Sequence, residues 1–272
     1  MKLSYRSIKN AEATARYWGK SLDKPDWYKI EANSEDSTDE IIIYDVIGWP
    51  YNDAYDLIRA IGAMGSEKIK VRMNSPGGDV FDGIAIFNAL KDHPAHITVK
   101  IEGLAASMAS VIALAGDEVQ AHKSAMYMIH DPMTWAAGNQ YDLRETADIL
   151  QKISGNMLDI YNDNSSIGKR ELKTMMKDET WFTATEAKDR GLIDTVLDAG
   201  AVNARFDLSI FSNVPTGTKA EPTERDQERD LRDAGLSRKE AKAVLAGRKD
   251  STQRDVEAVH AEIERITNIM KL

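Results

Sequence analysis

Ile69-Lys70-Val71-Arg72-Met73-Asn74-Ser75-Pro76-Gly77-Gly78 reads as a strand running into a tight turn. Ile69, Val71 and Met73 alternate with Lys70 and Arg72, the period-two pattern of a strand with one buried face. Pro76 and the two glycines then stop the strand. A helical pattern follows from Val80 to Leu90, and Ile97-Thr98-Val99-Lys100-Ile101 repeats the strand signature. Strand, helix, strand in this rhythm predicts a right-handed βαβ crossover and a largely parallel sheet, hence an α/β fold.

The same rhythm extends both ways along the chain. Upstream, Trp27-Tyr28-Lys29-Ile30 and Ile41-Ile42-Ile43-Tyr44 read as strands, separated by an acidic loop from Ser34 to Glu40, and Ala54 to Met64 reads as a helix. Downstream, the small-residue run from Ala105 to Ala115 predicts a buried helix. Short strands are expected around Glu118-Val119-Gln120 and Ala125-Met126-Tyr127-Met128. Leu143, Ile149, Leu150, Ile153 and Leu158 mark a long helix from about Tyr141 to Asn164, too long for a simple crossover. Thr185 to Arg190, then Gly191-Leu192-Ile193-Asp194, predicts a helix, a glycine C-cap and a strand.

These signals divide the 272 residues into a polar N-terminal segment (1–37), a folded domain (38–198), a linker (199–222) and a charged helical tail (223–272). The linker is marked by Pro, Gly, Thr and Ser between Asn213 and Pro222. In the tail, Ser237-Arg238-Lys239-Glu240 fits a capping box. Val256, Val259, Ile263, Ile266 and Met270 form a coiled-coil seam of two heptads, which needs a partner or self-association.

Composition removes whole classes of function. A net charge of −9 argues against a nucleic-acid surface, which requires clustered excess Lys and Arg. The absence of cysteine excludes disulfides, thiolate catalysis and cysteine-based zinc sites. There is no His-Glu-x-x-His, no Walker A sequence and no Gly-x-Gly-x-x-Gly, so neither a metal nor a nucleotide cofactor is expected. The first residues lack the apolar run of a signal peptide, and the apolar stretch around residues 105–115 is too short to span a bilayer. The expectation is a soluble, cytoplasmic protein without a membrane partner.

Three segments carry chemistry. Ser107, within Gly103-Leu104-Ala105-Ala106-Ser107-Met108-Ala109-Ser110, falls where a helix starts after a strand, so the Met108 N–H is free to serve a developing oxyanion. Asn74-Ser75-Pro76-Gly77-Gly78 offers backbone without Cβ atoms to a carbonyl oxygen or an extended peptide. Of five histidines, His130 alone ends an apolar strand, in Met128-Ile129-His130-Asp131-Pro132. A nucleophile, an oxyanion hole and a general base are the parts of a serine hydrolase. An acid to orient the imidazole is available in Lys177-Asp178-Glu179-Thr180-Trp181-Phe182. Each segment alone also reads as ordinary structure: a tightly packed helix, a βα turn, a core histidine.

Taken together, Ser75-Pro76-Gly77-Gly78, Ala105-Ala106-Ser107-Met108, Met128-Ile129-His130-Asp131-Pro132 and Phe182-Thr183-Ala184-Thr185-Glu186-Ala187…Gly191-Leu192-Ile193-Asp194 resemble the proteolytic subunit of the Clp protease family, over roughly residues 40–197. The resemblance implies a crotonase-like ββα spiral with a projecting handle helix, here Tyr141 to Asn164, that mediates assembly into a ring-shaped homo-oligomer. It implies a serine endopeptidase with Ser107 as nucleophile, His130 as general base, and the Gly77 and Met108 N–H groups as oxyanion hole. Counting back from Gly191 puts Glu179 where the family has an aspartate, with Asp178 as the alternative acid. Protein or peptide substrate would lie extended against Gly78 on one side and Pro132, Met133 and Thr134 on the other. The segment from Glu228 to Arg238 resembles one appended to phage-encoded, Clp-like head maturation proteases, which implies capsid or scaffold proteins as partners. The alternatives are a housekeeping peptidase working with an AAA+ unfoldase, and a non-catalytic assembly protein.

Overall fold

A computed structural model describes residues 27–31, 38–48, 54–198, 208, 210–215, 238, 242, 244 and 245. The chain divides into two compact units, Met1–Lys219 and Ala220–Leu272. In the second, Arg238, Lys242, Val244 and Leu245 are helical; most of the capping box and all of the coiled-coil seam lie outside the described residues. Among the described residues no helix is long and apolar enough to cross a membrane.

The first unit is built on one mixed sheet. β1 (Tyr28–Glu31) pairs antiparallel with β2 (Thr38–Ile43), and β2 lies parallel to β3 (Lys68–Ser75). β3 lies parallel to β4 (His96–Ala106), the longest strand. β4 then forks: Thr98 to Ile101 pair with β5 (Glu118–His122), and Leu104 to Ala106 pair with β6 (Met126–Ile129). β6 continues antiparallel into β7 (Thr180–Thr183), while β5 carries β8 (Thr195–Leu197) in parallel.

Alternation along the strands sorts side chains between two faces. Ile41, Ile43, Ile69, Val71, Met73, Ile97, Val99 and Ile101 are buried and make one core with the helices α1 (Tyr55–Ala63) and α2 (Val80–Lys91). The opposite face carries Glu40, Lys70, Arg72, Lys100 and Glu102. There Arg72 grips Glu102 through two hydrogen bonds of 3.0 Å, with Lys70 on Glu40 at 3.1 Å. Burial raises the pKa of Glu102 above the ordinary carboxylate value, with Glu40 adding to the rise.

Several elements depart from the sequence expectation. The acidic loop ends sooner than expected, because Thr38, Asp39 and Glu40 already pair with Lys68, Ile69 and Lys70. Helix α3 is shorter than the expected 105–115 and spans only Met108–Ala113, because Ala105 and Ala106 are drawn into β4 by their new partner β6. The long helix, α4 (Gln140–Asp163), starts at a capping box on Asn139 and buries Met157 and Tyr161, with Ile153, Leu158 and Ile160 half-buried against the core, while Tyr141, Leu143 and Ile149 in its first half are exposed. Helix α5 (Lys169–Lys177) and strand β7 have no counterpart in the sequence reading; α5 is anchored by Leu172 and Met176, one turn apart. Helix α6 (Ala184–Asp189) ends at Gly191, φ +71°, with the Gly191 N–H donating to the Lys188 carbonyl and the Leu192 N–H to Ala187. That Schellman closure uses Leu192 and Ile193 for burial, and the strand follows only at Thr195.

The glycine turn is locked from below. Ile47 donates its N–H to the Gly77 carbonyl (2.8 Å) and accepts from Asp79 (3.0 Å), and a Cβ on Gly78 would lie 2.1 Å from the Ile47 oxygen. Backbone cannot yield as a side-chain tip can. Gly78→Ala is therefore expected to destabilise the fold by about 3 kcal/mol, measured by urea unfolding; an unchanged midpoint would refute the close approach.

Candidate active site

Ser107 sits at the junction of β4 and α3. Its N–H donates to the Met128 carbonyl (3.0 Å), the last ladder bond before the chain turns into the helix. Making that turn within one residue forces Ser107 to φ 55°, ψ −125°, a region costly for any residue with a Cβ, of about 1–3 kcal/mol. Although the local sequence lacks the Gly-x-Ser-x-Gly pattern, the backbone makes the same kind of sharp strand-to-helix elbow.

His130 follows β6 directly, and the pairing of β6 with the end of β4 brings it opposite Ser107. The two side chains meet at 2.8 Å, Nε2 to Oγ. His130 is buried, 7% exposed, and burial holds its pKa below the ordinary histidine value. The carboxylates of Glu179 and Asp131 oppose that effect by favouring the imidazolium. A neutral imidazole beside a hydroxyl is the state needed to accept its proton.

The expected oxyanion groups converge on the same place. A Cβ on Gly77, φ +97°, would lie 2.6 Å from Ser107 Cβ, 2.7 Å from the Ala106 oxygen and 3.0 Å from the Met108 nitrogen. Only glycine fits there. The Gly77 N–H presently donates to Ser75 Oγ at 3.2 Å, a long bond, while Ser75 Oγ donates to the Asp45 carbonyl at 2.6 Å. Ser75, quoted in the sequence reading only as part of the motif, thus braces the turn. Pro132 is half-buried, and Met133 and Thr134 are exposed in an irregular segment leading from His130 to α4.

The two acid candidates lie nearby with a different set of partners. Asp178 caps the end of α5, and its main-chain carbonyl accepts from Asn213 Nδ2 at 2.7 Å. Glu179 takes φ 50°, and its carboxylate accepts from Ser212 N (2.8 Å), Asn213 N (2.6 Å) and Trp181 Nε1 (3.2 Å). Among the described residues no hydrogen bond joins either carboxylate to His130. Phe211, from the same segment, stands edge-on to both His130 and Trp181, with ring centroids 5.6 and 5.7 Å away. Leu208 and Phe211 also close a small apolar cluster with Leu104, Ala106 and Met128. None of these contacts was visible in the sequence, where residues 199–222 read as linker. Leu208, Ile210 and Phe211, three large apolar side chains within four residues, were the available signal.

A family model described as Clp protease matches residues 52–200, more than half of the chain. The ATP-dependent Clp protease proteolytic subunit of Bacteroides fragilis is 35% identical over 133 residues, 47% of this chain and 63% of that protein. Its counterpart in Bacteroides thetaiotaomicron is 35% identical over 131 residues, 47% and 60% of the two chains. That of Deinococcus radiodurans is 31% identical over 134 residues, 48% and 66%. The chain therefore spans less than two thirds of the length of each of these relatives.

Phe211 shields the imidazole from water, so its loss should relieve part of the desolvation. Phe211→Ala is expected to raise the His130 pKa toward the ordinary value of about 6.5, read from the imidazole NMR titration. A pKa that stays put or falls would show that other groups bury the ring. The convergence of the glycine turn, Ser107 and His130 at one elbow and the match over residues 52–200 lead to one statement: the chain belongs to the Clp protease family.

Proposed function

We propose that this chain is a serine endopeptidase, and the single observation carrying that reading is the 2.8 Å contact between Ser107 Oγ and His130 Nε2 at a strained elbow. His130 Nε2 takes the hydroxyl proton as Ser107 Oγ bonds to a peptide carbonyl carbon. The Met108 N–H, and the Gly77 N–H once released from Ser75, receive the oxyanion. His130 returns the proton to the departing amine nitrogen as the C–N bond breaks, and water then attacks the acyl-Ser107 ester through the same base. Glu179, whose charge favours the imidazolium, is the acid, with Asp178 as second choice. In the parallel bridge of Ile47 with Gly78, the N–H and C=O of Gly78 point away from Ile47, toward where an extended substrate would pair; Pro132, Met133 and Thr134 would line its other side.

Ser107→Ala is expected to abolish labelling by a fluorophosphonate and to lower peptide hydrolysis by at least about 1,000-fold while the fold persists. In the wild type, kcat/KM should rise with pH as His130 loses its proton, with a midpoint below the ordinary histidine value of about 6.5. Unchanged hydrolysis by Ser107→Ala, or a midpoint well above that value, would refute the mechanism.

The finer reading is a phage head maturation protease, with capsid or scaffold proteins as substrates and α4 as the handle of a ring-shaped homo-oligomer in the cytoplasm or a procapsid. Its support is the charged segment from Glu228 to Arg238 beyond the family-matched residues, together with the exposed Tyr141, Leu143 and Ile149 on α4. A second reading rests on the relatives, each described as the proteolytic subunit of an ATP-dependent protease. Cleavage of scaffold or capsid protein without ATP is expected; degradation that requires an added AAA+ unfoldase and ATP would favour the second reading.

A further inference from the structure

Two tyrosine hydroxyls are fully buried behind the elbow, where phenylalanine would fill the same space without burying a polar group. Both converge on Ser110, in the first turn of α3. Tyr127 OH, from β6, donates to the Ser110 carbonyl at 2.6 Å. Tyr161 OH, from α4, meets Ser110 Oγ at 2.7 Å, and Ser110 Oγ meets the Ser107 carbonyl at 2.6 Å.

The direction of this chain of bonds is fixed by its last member. A carbonyl only accepts, so the one proton of the Ser110 hydroxyl is committed to the Ser107 oxygen, and Tyr161 must be the donor to Ser110. Burial raises the pKa of Tyr161 far above its ordinary value, so the phenol keeps that proton. The relay runs Tyr161 O–H to Ser110 O–H to Ser107 C=O.

The Ser107 carbonyl and the Met108 N–H belong to one peptide plane and, in a trans peptide, point in opposite directions. Whatever holds the carbonyl also aims the N–H. That plane is attached to a strained Ser107; its carbonyl accepts the N–H of Ser110 at 3.0 Å and of Val111 at 3.4 Å, and Ser110 Oγ, at 2.6 Å, adds the shortest of the three bonds that keep it from turning. We propose that Ser110 and Tyr161 are positioning residues for the peptidase reaction: by gripping the Ser107 carbonyl they aim the Met108 N–H at the oxyanion. Tyr127 adds a second tie, from the strand that presents His130, so the nucleophile's turn and the base's strand are fastened to one residue. This inference rests on the peptidase reading above.

A correctly aimed oxyanion donor acts in the transition state more than on bound substrate. Ser110→Ala and Tyr161→Phe are therefore expected to lower kcat by about 10-fold with KM little changed, since losing such a donor outright costs about 100-fold or more. A peptide boronate, whose tetrahedral adduct with Ser107 places an oxygen at the oxyanion position, should bind about 10-fold more weakly to each variant. Ser110→Thr keeps the hydroxyl and should restore both properties. The double variant should be no worse than Ser110→Ala alone, because Tyr161 acts through Ser110. Wild-type kcat and boronate affinity in both single variants, or losses that appear in KM alone, would overturn the proposal. If Tyr161→Phe does not fold, Ser110→Ala, which removes one small oxygen, decides the matter with Ser110→Thr. A wild-type chain that a fluorophosphonate does not label at Ser107 and that cleaves no peptide overturns the peptidase reading itself, and this inference with it.

Discussion

The three bridges between Leu104–Ala106 and Met126–Met128 hold the site together. β4 is long enough to serve two neighbours in turn, β5 along its first half and β6 along its second. The second pairing lets the Ser107 N–H reach the Met128 carbonyl, two residues short of His130. Side chains at the ends of two parallel strands in register stand next to each other without any loop having to find its way. The close approach of Ser107 and His130 is thus a property of sheet register. The glycine turn joins by the same means: β3 lies along β4, with Ser75 paired to Ala105, so Gly77 arrives at the elbow from the adjacent strand.

Packing then stiffens what the register brings together. The core behind α3 is made of small side chains, Ala105, Ala109 and Ala113 among them, which lets the helix sit close to the strands. Close packing of that kind leaves no room for the elbow to relax. Gly77 tightens it further, since its missing Cβ is the space that Ser107 and Ala106 occupy. A strained serine is tolerable only because its surroundings over-determine it.

The strand and helix pattern from residue 41 to 101 was legible because it is periodic: Ile69, Val71 and Met73 declare a half-buried strand wherever they occur. Ser107, Gly77, Met108 and His130 were legible as motifs, and the fold brings all four together. The boundary at Ala105 was not legible, because alanines serve a buried strand and a buried helix equally well, and only the presence of β6 decides between them. Helix α5 escaped notice because it is short and only Leu172, Met175 and Met176 of its nine residues are apolar. Strand β7, four residues long and directly after the acid candidates, is too short for its alternation to stand out. The tie of Glu179 to residues 212 and 213 was hidden for a different reason: it runs through the main-chain N–H groups of Ser212 and Asn213, which carry no residue identity. The hydroxyl relay was equally silent, because Ser110, Tyr127 and Tyr161 are far apart in sequence and each is unremarked in its own segment.

The Phe211 ring against His130 and the anchoring of Glu179 by Ser212 and Asn213 mean that the family-matched residues do not contain everything that bears on the Ser–His pair. The match ends at residue 200, a dozen positions before those two amides and eleven before the Phe211 ring. Two proteins alike through residue 200 and different afterwards would offer the same serine and histidine a differently placed carboxylate and a differently wetted imidazole. Catalytic rates and pH behaviour are then not transferable between relatives on the strength of the shared domain. A polypeptide trimmed to that domain would be chemically a different protein at its most sensitive point.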